Sequence, residues 1–265
     1  MALSLIKMTQ FSTWQSYRNF ERTVKTRNRY FRDAEIERFL QTILKTIGDR
    51  KRELPKKKYL WRAQLGHGWM PYYQEDEYID DIPAPYPPER MTPLVNEAIE
   101  GRANPKGIPY IYTATTKETA MAEVRPWLGS LVSVGQFETK KDMMLVDCSV
   151  HHDRTPLYIE EPNPEEREHA VWSHIDKAFS KPMTSNDRMA DYVPTQIIAE
   201  LFKCNGFDGL VYKSMLGEGY NVVLFDVEAA ELVNCNLFEL ENISFSFQQA
   251  ANPYSVIEKS EKLNG

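Results

Sequence analysis

Apolar residues recur at every third or fourth position early in the chain: Trp14, Tyr17 and Phe20, then Ile36, Phe39, Leu40, Ile43, Leu44 and Ile47. This period marks an amphipathic helix and predicts helical structure over 13–48, with Asp33 as an N-cap and Gly48 as a stop. Beyond residue 58 shorter runs take over. Tyr59–Gln64, Pro109–Ala114, Leu131–Gln136, Met143–Val150, Gly209–Ser214 and Tyr220–Asp226 read as strands. Within Pro109–Ala114 the alternation sets Tyr110 and Tyr112 on one face, Ile111 and Thr113 on the other. Thr115-Thr116-Lys117-Glu118 has the form of a capping box and predicts a helix that Pro126 ends. HAVWSHIDKAF gives a second helical patch, and TQIIAELFKC a third, bounded by Pro194 and by Asn205-Gly206. LVNEAIEG, after Pro93, carries a short helix signal.

Two stretches show no regular period. Asp49–Lys58, DRKRELPKKK, reads as a solvated connector, and Gly66–Pro93, dense in Pro, Tyr, Asp and Gly, reads as a long loop. The expected organisation is therefore a helical extension over 1–58, a sheet domain over 59–252 and a loose tail over 253–265. Strands alternating with helices place the domain in the α+β class, with a mixed sheet.

Composition narrows this picture. The 265 residues, 42% hydrophobic and 26% charged, suffice for a sizeable core. Three scattered cysteines without a CxxC pair suggest neither a disulfide framework nor a zinc site. The apolar runs are too short to span a bilayer, and MALSLIKMTQFSTW lacks the pattern of a signal peptide. The expectation is a reduced cytoplasmic protein with no membrane contact.

Charge divides the chain unevenly. Residues 1–58 carry 15 Lys/Arg against 6 Asp/Glu, and the remainder 17 against 32. A basic helical arm packed on an acidic body, or on a second subunit in a homo-oligomer, accounts for this split. The overall net charge of -6 argues against general nucleic-acid binding.

Several familiar chemistries find no support. His151-His152 and the pair His169 and His174 lack the facing geometry of HExxH, so no metal is expected. Gly66-His67-Gly68 is neither a dinucleotide fingerprint nor a P-loop, and no GxSxG elbow occurs. The segment GRANPKGIPYIYTATTKETAMAEV stands apart. It delivers Arg102 from a Gly-led turn, Tyr112 from mid-strand and Glu123 from a helix face shared with Thr119 and Ala120. Taken alone, these are also what a turn arginine, a core tyrosine and a surface glutamate look like.

This segment resembles the signature of the RES-domain family. Leu60–Gln64, with Arg62, is similar to the start of that domain, and GFDGLVYKS…GYNVVLFD, with Ser214 and Asn221, to its end. The resemblance covers roughly 59–235. It implies an ADP-ribosyltransferase-like fold and a toxin of a bacterial toxin–antitoxin pair that consumes NAD as substrate. The nicotinamide–ribose bond would be cleaved by hydrolysis or phosphorolysis, or ADP-ribose transferred to a protein; the same fold kept as a non-catalytic binding module is the remaining alternative. The implied partner is a DNA-binding antitoxin that occludes the active site. Arg102, Tyr112, Glu123 and Ser214 would form the catalytic set, with Arg62, Arg102, Tyr112 and Asn221 binding NAD. An arginine fork suits a diphosphate, a tyrosine face suits nicotinamide, and a carboxylate suits the cation that grows on ribose.

Overall fold

The computed structural model describes residues 10–94, 97–153, 156–182 and 189–249. The first nine residues of the extension and the tail over 253–265 lie outside the described residues. Two N-terminal helices, α1 (Ser16–Thr26) and α2 (Ala34–Lys45), stand where one helical stretch was expected. The break between them ends at Asp33, whose carboxylate accepts from Glu35 N and Ile36 N and so starts α2. Their apolar stripes enter the main core: Phe20, Phe39, Leu40 and Ile43 are buried in one cluster with Trp172, Ile175, Ile198 and Phe202. The basic arm thus packs on its own body.

Among the described residues ten strands follow: β1 (Lys51–Leu54), β2 (Tyr59–Leu65), β3 (Gly68–Gln74), β4 (Glu77–Ala84), β5 (Ile111–Ala114), β6 (Leu131–Thr139), β7 (Met143–Asp147), β8 (Gly209–Lys213), β9 (Tyr220–Leu224) and β10 (Ala230–Glu239). Eight form one sheet in the order β1-β7-β8-β9-β5-β2-β6-β10. All its pairs are antiparallel except β7 with β8, and that parallel pair is joined through α5 (Pro164–Ser180) and α6 (Val193–Cys204). A parallel pair needs such a crossover, because its second strand must return to the starting end. The protein is therefore a mixed α+β fold with helices, the N-terminal pair included, packed on a large sheet.

Other sequence expectations need correction too, and β10 was not among the expected strands. The supposed connector contains the edge strand β1, paired with β7, and Arg50 just before it is buried with its guanidinium 4.3 Å from the Trp172 ring. The supposed loop over 66–93 holds the β3–β4 hairpin and a helical turn, α3 (Pro88–Met91). That hairpin has no buried face, so no period of two was imposed on it. The helix signal after Pro93 is not realised at residues 97–101.

Candidate active site

Helix α4 (Lys117–Glu123) begins at Thr116, whose hydroxyl accepts from Thr119 N at 3.2 Å, one residue later than the capping-box pattern places it. It ends at Glu123, with Arg125 at φ +49° ahead of Pro126. A residue preceding proline is driven out of the right-handed helical region, so the helix cannot run on. Thr119 and Ala120 are buried, seating α4 against β2, β5, β6 and β9, and Glu123 emerges at the helix end.

Two partners fix the Glu123 carboxylate. Ser214 Oγ and Asn221 Nδ2 each donate to its Oε1 at 2.7 Å. The serine hydroxyl itself accepts from Leu216 N and Gly217 N, both at 3.1 Å. With its acceptor side so engaged, its proton goes to the carboxylate. The turn between β8 and β9 that supplies these N–H groups lies hard against α4. Gly219 N donates to Thr119 Oγ1 at 3.0 Å, and a Cβ on Gly219 would sit 2.6 Å from that same oxygen. Only glycine permits this approach.

Tyr112, in mid-β5, faces the helix side of the sheet, as the alternation predicts. Its hydroxyl donates to Asn104 Oδ1 at 2.7 Å and accepts from Ala103 N at 2.9 Å. Burial raises its pKa, which keeps the phenol neutral and its O–H donating to Asn104. Gly101 is also obligatory, because a Cβ there would stand 2.6 Å from the Tyr112 hydroxyl. The Arg102 guanidinium donates to Ala178 O at 2.8 Å and to Lys181 O, closing the last turn of α5. A cation there complements the carbonyl end of a helix. Arg62 donates to Met91 O at 3.0 Å and Tyr112 O at 3.1 Å; burial pushes its pKa down to about 10, still cationic at neutral pH.

These groups meet at a cavity of about 690 Å³, within the range of small-molecule sites. Arg62, Arg102, Tyr112, Glu123 and Asn221 line it. Ser214 is buried behind Glu123 and reaches the cavity through that carboxylate. Arg125 and Lys181 join the two arginines on the lining, against the carboxylates of Glu100 and Glu123, which leaves an excess of positive charge suited to an anion. Sequence reasoning missed Tyr192 and Tyr212 on the walls and read Asn104 only as a turn residue. Asn-Pro-Lys-Gly signals the turn but not that its asparagine holds Tyr112. Among the described residues, no group of three or more His, Cys, Asp or Glu could hold a metal ion, and no helix is long and apolar enough to cross a membrane.

Comparison with known proteins gives one family model. Residues 60–246 match the RES domain. No curated protein matches the chain. Among solved structures, a chain from the crystal structure of the M.tuberculosis MbcT-MbcA toxin-antitoxin complex is similar at a TM-score of 0.39 and 13% identity, over 74% of this chain and 94% of that one.

Proposed function

The chain belongs to the RES domain family, and on that premise we propose that it consumes NAD by breaking the bond between nicotinamide and ribose. The observation that carries this reading is the Glu123 carboxylate, held by two donors on Oε1 at the edge of a cation-rich cavity. As the C–N bond breaks, its electron pair leaves with the ring nitrogen, and cationic nicotinamide departs neutral. Positive charge then grows on the ribose, where the carboxylate stabilises it most in the transition state. Ser214 and Asn221 orient Glu123 and leave Oε2 for the ribose hydroxyls. In this reading Ser214 is a positioning residue that acts through the carboxylate.

Arg62, Arg102, Arg125 and Lys181 supply the cations for the diphosphate, and the Tyr112 ring, its hydroxyl tied back to Asn104, offers a face to nicotinamide. Water, phosphate or a protein nucleophile then captures the ribosyl cation. Family membership extends the proposal to a cytoplasmic toxin held in check by a DNA-binding antitoxin over this cavity.

Incubation of the purified protein with NAD, with and without phosphate, followed by mass analysis, tests the reading. Nicotinamide should be released, together with ADP-ribose, its phosphate adduct or an ADP-ribosylated protein, each product selecting one acceptor. Intact NAD after prolonged incubation with folded protein would overturn it in favour of a binding module.

A further inference from the structure

Two surface features are left over by the cavity. The first is the β3–β4 hairpin, in which Trp69, Met70, Tyr72, Tyr73, Tyr78 and Ile82 are all exposed. Among the described residues it pairs only within its own two-stranded sheet, and a lone hairpin is marginally stable in water. Acids interleave with these rings: Tyr72 opposes Asp80, Pro71 opposes Asp81, Gln74 opposes Glu77, and Glu75-Asp76 make the turn. From Gly68 to Ala84 the strand pair holds five carboxylates and no lysine or arginine.

The second feature is the tip between α1 and α2, Arg27-Asn28-Arg29-Tyr30-Phe31-Arg32. Tyr30 is 88% and Phe31 89% exposed, and the arginines around them are exposed as well. Of the nearby acids, Asp33 is spent on the N-terminus of α2 and Glu37 stands 3.8 Å from Arg32, while Arg27 and Arg29 lie on the far side of the two rings.

We infer that the acidic, aromatic hairpin of one copy docks on the basic, aromatic tip of a second copy. The two surfaces complement each other in charge, and both present rings that stack on one another or under guanidinium groups. Within one copy neither covers the other, since both stand exposed together. Every copy carries both halves, so two copies satisfy two contacts, and a head-to-tail arrangement extends the same contact further. Aromatic residues and arginine are the types that anchor protein interfaces.

Sedimentation equilibrium of the full chain over a range of concentrations and salt tests this, independently of any activity on NAD. Self-association should appear and weaken as salt rises, because exposed charges are screened. Tyr30→Ser combined with Phe31→Ser should weaken it about tenfold or more. Arg27→Glu with Arg29→Glu, and separately Asp80→Lys with Asp81→Lys, should each give monomers with unchanged circular dichroism. Mixed in equal amounts, these two charge-reversed proteins should associate again, since the reversed tip of one meets the reversed hairpin of the other. A wild type that stays monomeric throughout overturns the inference. So does association that neither reversal alters, or a mixture that fails to recover it. Binding of a fluorescent single-stranded oligonucleotide through Tyr30 and Phe31, without self-association, would likewise overturn it and assign the tip to nucleic acid.

Discussion

The two walls of the cavity hold their polar side chains on opposite terms. On one wall Glu123, itself exposed, is steered by the side chains of Ser214 and Asn221. On the other, Arg102 is tied to main-chain carbonyls of α5, and Tyr112 to a buried asparagine and a backbone N–H. The first wall is organised around a carboxylate, and the second is part of what holds the helix layer to the sheet. Substitutions should therefore separate: on the glutamate wall they strike turnover and spare the fold, while on the arginine wall they strike both.

The largest effect expected is on rate. Glu123→Gln keeps the shape but removes the charge, and should lower NAD turnover roughly 10²-fold or more with little change in NAD affinity. Near-normal turnover in a folded Glu123→Gln protein would break the comparison at its first term.

Acid should separate the walls next. His174 lies on α5, one turn before Ala178, with the Trp14 ring 5.9 Å and the Tyr17 ring 6.5 Å away. Burial, then the charges of Arg18 and Lys177, push its pKa down to about 4. The unfolded chain, with an ordinary histidine near 6.5, binds the proton more readily. Stability is therefore full above about pH 6.5 and lost as the pH falls toward 4, by on the order of 3 kcal/mol. Urea unfolding across that range should show the slope, and His174→Phe should flatten it.

Arg102→Lys keeps a positive charge but loses the fork that spans two carbonyls. The unfolding free energy from urea titration should fall by about 2 kcal/mol, with NAD affinity falling alongside. A variant that loses affinity at unchanged stability would show that the α5 contacts are incidental. The smallest effect is expected at Tyr112→Phe. It keeps the ring but leaves Asn104 Oδ1 and Ala103 N without their shared partner, costing about 1 kcal/mol of stability. If thermal melting of the Tyr112→Phe protein matches wild type, the hydroxyl is not what braces this wall.

Local rules wrote much of the molecule into the sequence. The 3.6-residue period located the buried stripe of α2, Asp33 its start, and Pro126 the stop of α4, while the capping-box pattern fell one residue short of its start at Thr116. Alternation in β5 turned Tyr112 toward the helix layer and Ile111 away from it. These signals are legible because each depends on a few neighbouring residues and on backbone geometry. The edge strands β1 and β10 were not legible, since an edge strand shows neither a continuous apolar run nor strict alternation. The hairpin escaped for a related reason: no core selects between its faces.

The site follows the same division. Sequence brought Arg102, Tyr112 and Glu123 into one segment and marked Ser214 and Asn221 in another. Tertiary structure alone set Ser214 and Asn221, 91 and 98 positions further along, on one oxygen of Glu123. It alone spent Arg102 on the end of α5, 76 residues away at Ala178. It also turned Asn104 from a turn residue into the anchor of Tyr112, and brought Tyr192 and Tyr212 to the walls. A residue's type fixes which bonds it can make, but its partner depends on which distant segment packing carries to within hydrogen-bond reach, and no local pattern encodes that distance.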